Sequence, residues 1–489
     1  MKKSTLLIAA IVIALSGCQK GSYGSFESSD HKYDGAMMEG AEPPGGDRFS
    51  DIVENPFMDA AENPLSTFSV DADGAAYAYM RRCIREKGFR PDANSVRIEE
   101  YLNYFTFNYE DPKAGEDVAL NAEVGPCPWN EEHYLLRLGI KGKSLEEESI
   151  PQANFVFLID VSGSMSSTDK LPLLKQSLIA MLDYMRSDDR IAIVTYASGE
   201  KLLLGSTPVS EKTKIVNSIK QLYASGSTSG ARAMEMAYQE ALKNFLPEGN
   251  NRIIMGTDGD FNVGPTSTEA IKEMVQNYAS QGVYITLCGF GTGNLNDAMM
   301  EEVSNAGNGT YQYIDSEDEM TKVFVNERAR FITVANDCKT QIAFNPEAVS
   351  KYRLIGYENR MMANEDFEND KADAAEIGMG QTITALYEII PAENAQGSLG
   401  TFSFRYKKTL ADETAIPLSI DLPAFGGKSS ENLLFASSLA AWGLTLRNSQ
   451  YKGNASIEMA IELAKQSLNY DPFHYRQQYL ELLQKAAKY

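Results

Sequence analysis

Asp160, Ser162 and Ser164 put one carboxylate and two hydroxyls within five positions, directly after the apolar run from Val156 to Ile159. Two other short stretches carry matching chemistry. Thr228 sits in the Gly/Ser-rich "ASGSTSGA", and Asp258 follows the apolar stretch that ends in "IMGTDGD". Together they offer two carboxylates and three hydroxyls, with no imidazole or thiolate. Hard oxygen donors of this kind suit Mg2+ or Mn2+ ahead of Ca2+, in an octahedral shell that keeps water or leaves a place for an outside ligand. Two carboxylates leave such an ion electron-poor, so an acidic side chain from another molecule can complete the shell. One loop of Asp, Ser and Gly is ordinary turn chemistry; three at the required spacing point to a site.

The elements that must position these residues are legible from hydropathy. "NFVFLID", "RIAIVTYA", "RIIMGTD" and "VYITLCGFG" are short, almost continuous apolar runs. Helical patterns such as "LPLLKQSLIAMLDYM" and "TEAIKEMVQNYASQG" separate them. Strands buried on both faces and alternating with helices predict a doubly wound, mostly parallel α/β sheet over residues 151–331. Ligands of such sheets bind beyond the C-terminal ends of the strands, where all three loops emerge.

At these residues the chain resembles the metal-ion-dependent adhesion site of von Willebrand factor type A (VWA) domains. The resemblance implies that Ser162, Ser164 and Thr228 contact the metal, with Asp160 and Asp258 acting directly or through water. Ser229 stands where the family's loop carries Asn, which leaves those ligands untouched. "NPLSTFSVDADGAAYA", "VRIEEYLNYF", "CPWN", "GTDGDFNVG" and "LIGYENR" extend the likeness to a family of bacterial envelope proteins whose VWA domain lies between two dedicated regions. That likeness covers nearly all of the chain past residue 60.

The start of the chain reads as an address. Lys2 and Lys3, an apolar run from Leu6 to Leu15 and Leu15-Ser-Gly-Cys18 form a secretory signal too short to span a bilayer. Its ending resembles the lipobox of bacterial lipoproteins, with Cys18 lipidated, so the expected anchor is acyl chains in the cell envelope, at the outer membrane. Residues 19–60 have the composition of a flexible stalk. Residues 61–150 read as a flanking region of helices then strands, with Ser95 as a helix cap. Residues 332–489 read as strands then helices, and their strands are expected to pair with 118–142. Cys83, Cys127, Cys288 and Cys338 match no zinc spacing, and in an oxidising compartment they allow three disulfide pairings. A net charge of −22 argues against nucleic acid as a partner.

Other chemistries fit less well. "DGDFNVGPTSTE" imitates a calcium loop but has Val263 where that loop needs glycine. The acidic run from Asn364 to Glu376 reads as a solvated loop. An aspartyl phosphotransferase would need a second acid where Ser162 stands. His31, His133 and His474 read as surface residues without a triad. The expectation is therefore not an enzyme but an envelope lipoprotein that binds a protein partner through a divalent ion. The alternatives are a structural protein whose ion only stabilises the fold and, more weakly, a metal-dependent hydrolase.

Overall fold

In the computed structural model the described residues are 49–489, except 71–72, 89, 145–149, 228–229, 260–267, 292–295, 371–373, 410 and 489. All of them belong to one unit, Pro43–Tyr489. The strands, in chain order, are β1 (Met58–Asp59), β2 (Leu65–Ser69), β3 (Val118–Pro126), β4 (Tyr134–Gly142), β5 (Ala153–Asp160), β6 (Arg190–Tyr196), β7 (Glu200–Pro208), β8 (Asn250–Thr257), β9 (Val283–Phe290), β10 (Thr310–Ile314), β11 (Thr333–Phe344), β12 (Val349–Ile355), β13 (Ala375–Gly378), β14 (Thr382–Pro391), β15 (Gly400–Lys407) and β16 (Ile416–Asp421). The helices used below are α1 (Ala75–Arg82), α2 (Ile98–Asn103), α3 (Leu171–Met181), α4 (Lys212–Lys220), α5 (Ala231–Lys243), α6 (Thr268–Ala279), α7 (Asp297–Ala306), α8 (Glu317–Thr321), α9 (Glu431–Arg447), α10 (Ile457–Lys465) and α11 (Tyr475–Ala486).

The central sheet has the order β10-β9-β8-β5-β6-β7, parallel except for β7. Every residue of β5 is buried, because successive side chains serve opposite cores. Val156 and Leu158 pack toward α5, α6 and α7, while Phe157 and Ile159 pack toward α3 and α4. Strand β5 pairs with β6 on one side and β8 on the other. The chain steps from β5 to β6 and later returns to β8 on the opposite flank, so the strand order reverses at β5. That reversal opens a crevice beyond the carboxyl ends of β5 and β8.

Strand β7 was not anticipated. It is an antiparallel edge strand with exposed Lys201 and Leu202, and its register slips around Ile193. Polar, bulged edges of this sort discourage pairing with other chains.

Strands flanking the central sheet in sequence meet in space. β1-β12-β14-β4-β3 forms one antiparallel sheet, with Leu138 of β4 opposite Ala385 of β14. A second sheet runs β13-β11-β15-β16, with β2 also on β11. Phe68, Phe344, Phe402, Ile140 and Tyr387 from the two sheets share one core, which makes a sandwich. The outer face of β4 and β14 carries Leu135 and Leu386 into a helical core with α2, α9 and α11. Trp129 and Trp442 are buried in that core. Helix α1 joins two cores: Ala75, Ala78 and Tyr79 pack on the central sheet, while Ala76, Tyr77 and Met80 face the helical one.

Two local expectations fail. Ser95 does not cap α2; Arg97 holds that position without a side-chain bond. Ser95 instead closes a short turn, its hydroxyl donating to the Asp92 carbonyl. Cys83, Cys127, Cys288 and Cys338 are all free and buried, so none of the three pairings occurs. Among the described residues no helix is long and apolar enough to cross a membrane. Cys18 lies outside the described residues.

Candidate functional site

Asp160 and Asp258 stand at the adjoining tips of β5 and β8, both almost fully buried. The Ser162 backbone N–H donates to Asp160 Oδ1 at 2.8 Å. Thr257 Oγ1, at the end of β8, donates to Asp160 Oδ2 at 3.3 Å and accepts from the Gly259 N–H at 3.3 Å. One threonine thus ties the two strand tips together. Ser162 Oγ and Ser164 Oγ are 2.9 Å apart, so the two hydroxyls converge above Asp160.

Neighbouring backbone clamps this loop. Val161 donates to the Tyr196 carbonyl at 2.9 Å, Ser225 donates to the Val161 carbonyl at 2.7 Å, and Gly163 donates to the Gly226 carbonyl at 3.0 Å. The third loop is therefore brought against the first through residues 225–226. Thr228 itself lies outside the described residues, as does most of the calcium-like loop 258–269.

Burial is the largest influence on Asp160 and pushes its carboxyl up to about 6. The nearby charge of Asp258 adds to the rise, while the hydrogen bonds from Ser162 and Thr257 oppose it.

A group missed by sequence reading completes the constellation. Lys170, itself buried, places its ammonium 2.9 Å from Asp258 Oδ2. Its neighbour Asp169 pairs with Arg82 of α1 at 2.9 Å and accepts from Ser167 Oγ at 2.6 Å. The lysine stem lies across Gly291, where an added Cβ would fall 2.2 Å from Lys170 Cε. A lysine ten residues after Asp160 was visible, but its partner is 88 positions away.

The donors suit a divalent ion in kind: two carboxylates and two convergent hydroxyls, with Asp160 bonded only to neutral donors among the contacts above. Among the described residues no cluster of three or more His, Cys, Asp or Glu side chains is poised for a metal. An ion here would lean on hydroxyls and an outside ligand for the rest of its shell.

The remaining candidates are structural. His133 is not a surface residue: Nδ1 lies 2.6 Å from Glu388 Oε1, and Glu388 Oε2 pairs with buried Arg353 at 2.8 Å. His474 is exposed and precedes α11 with φ of 61°. Arg405 ties down the acidic loop, pairing with Glu368 at 2.8 Å and Asp370 at 2.9 Å.

Known proteins resemble the chain over its central domain and over most of its length. The family described as von Willebrand factor type A domain matches residues 154–326, the one described as von Willebrand factor matches 43–137, and the one described as Uncharacterized protein YfbK, C-terminal matches 329–399 and 392–489. The Uncharacterized protein YfbK of Escherichia coli (strain K12) is 38% identical over 474 residues, covering 91% of this chain and 81% of that protein. Inter-alpha-trypsin inhibitor heavy chain H3 of Rattus norvegicus is 31% identical over 164 residues, covering 32% of this chain and 18% of its own length. Among solved structures, von Willebrand factor type A from Catenulispora acidiphila covers 78% of this chain and 91% of its own at 14% identity and a TM-score of 0.43. The chain belongs to the YfbK family, with a VWA domain at its centre and a YfbK C-terminal domain after it.

Proposed function

We propose that this protein binds a protein partner through a divalent ion held by Asp160, Ser162, Ser164, Thr228 and Asp258. Mg2+ or Mn2+ is the expected ion, and an acidic side chain of the partner is its last ligand. The observation that carries this reading is the convergence of Asp160, Ser162, Ser164 and Asp258 at the one crevice the strand order opens. We further propose that the protein works in the cell envelope, tethered through lipidated Cys18.

Thermal unfolding of the mature protein in EDTA, Mg2+, Mn2+ and Ca2+, beside Asp160→Ala, tests the site. An ion at 100 times its dissociation constant adds roughly 2.7 kcal/mol to a folded state that alone binds it. The expected result is a rise of a few degrees with Mg2+ or Mn2+ that Asp160→Ala abolishes. No rise at millimolar ion would overturn the metal reading. Capture of an acidic partner that chelator reverses separates adhesion from a purely structural ion.

A further inference from the structure

We infer that Lys170 is a tethered cation that competes with a divalent ion for Asp258 and so sets the ion affinity of the site. The inference rests on the metal reading above and deepens it.

Three observations carry it. The ammonium lies 2.9 Å from Asp258 Oδ2, and both side chains are at most a tenth exposed. This is a buried ion pair at a carboxylate that an ion would need. The lysine is also positioned rather than draped. The Asp169–Arg82 pair, 2.9 Å long, fixes the residue before it, and Lys170 accepts the Leu174 N–H at 2.9 Å at the start of α3. Gly291, with φ of 75°, leaves the space its stem fills. Finally, charge: Asp160 and Asp258 bring two negative charges into a buried crevice, and Lys170 offsets one of them. A divalent ion arriving beside an ammonium that stays in place would leave the crevice positive. Like charges at such range in a poorly screened site repel strongly. The ion must therefore pull Asp258 away from the ammonium, and its affinity is lowered by the strength of that pair.

Because Arg82 belongs to α1, the flanking region holds the loop that carries the competing charge. This gives the N-terminal region a contact through which ion affinity is set.

Mn2+ binding by calorimetry on the mature protein, read beside unfolding in EDTA, tests the inference with wild type, Lys170→Met, Lys170→Arg and Asp160→Ala. If the lysine competes, Lys170→Met binds Mn2+ at least about tenfold more tightly than wild type and is less stable in EDTA. It regains that stability when Mn2+ is added, while Lys170→Arg, which keeps the charge, stays near wild type. A purely structural lysine would lower stability equally with and without Mn2+ and leave the dissociation constant unchanged. Wild type binding Mn2+ with Lys170→Met within twofold of it overturns the inference and leaves the metal reading standing. Failure of both wild type and Lys170→Met to bind overturns the metal reading and the competition with it. Lys170→Gln, which keeps a donor toward Asp258, takes the place of Lys170→Met should that variant not fold, under the same two outcomes.

Discussion

The small residue at 291 and the acid at 99 show how tightly single side chains are constrained. Gly291 has φ of 75°, and a methyl there would fall 2.2 Å from Lys170 Cε. Gly291→Ala combines left-handed strain of about 1–2 kcal/mol with displacement of a buried ion pair. We expect chemical denaturation to show a loss of about 2–4 kcal/mol, by the same two effects. Glu99 makes a different prediction. Burial raises its carboxyl from 4.5 to about 7, with the charge of Glu358 adding to the rise and Arg447 opposing it. A carboxyl raised on folding holds its proton more tightly in the native state than when unfolded. Stability is therefore lost as pH climbs from about 4.5 through 7, and the full cost is present above that. A rise of this size is worth on the order of 3 kcal/mol. Glu99→Gln should flatten the slope, so urea unfolding at pH 5 and pH 8 should differ less in the variant. Equal slopes in both proteins would remove Glu99 from the account.

At the scale of elements, buried ion pairs fasten the flanking helices to the central domain. Arg97, just ahead of α2, reaches Asp297 of α7 at 2.8 Å and also pairs with Glu100. Arg81 of α1 holds Glu319 of α8 at 2.8 Å, and the Tyr104 hydroxyl donates to the same carboxylate at 2.6 Å. Removing one member of a buried pair strands the other, at a cost of about 3–5 kcal/mol. Arg97→Met should show that loss in denaturant, and adding Asp297→Leu should recover the share due to Asp297 alone, since Glu100 stays without its partner. A double variant no better than the single one would mean that these groups do not act as a pair. The same elements show what hydropathy can and cannot reveal. β5, β6, β8 and β9 were legible because both faces are covered, which demands continuous apolar runs. β7 escaped because an edge strand need bury only one face, and Lys201, Gly205 and Ser206 break its pattern. The Lys170–Asp258 and His133–Glu388 pairs escaped for a common reason. Charged partners 88 and 255 positions apart leave no periodic trace, and the fold alone brings them together.

For the whole molecule, the parallel sheet and the placing of Asp160 and Asp258 at its strand tips were legible from local pattern, because the apolar runs and the polar loops that end them are contiguous in sequence. Which distant strands join one another is a different matter, decided by register and by what each face must cover. β4 finds β14 across the entire central domain, in a register running from Tyr134 opposite Ile389 to Lys141 opposite Thr382. Neither strand can bury its apolar faces within its own part of the chain. The sandwich core draws Ile140 from before the central domain and Phe344, Tyr387 and Phe402 from after it. The helical core likewise joins Phe105 and Tyr101 to Phe435 and Tyr479. Phe105 meets Phe435 edge-on at 4.9 Å and Tyr479 at 5.8 Å. Fragments 49–150 and 333–489, made separately, should therefore each remain unfolded, since each presents half of two cores. Mixed, they should regain strand and helix signal by circular dichroism and co-elute as one species. The central fragment 151–331 should retain its sheet but lose the α1 residues that cover Tyr311 and Tyr313. It should therefore melt below the intact chain and bind an apolar dye. If 333–489 folds alone with native-like stability, the two regions are independent domains, and the pairing of β4 with β14 contributes little to either.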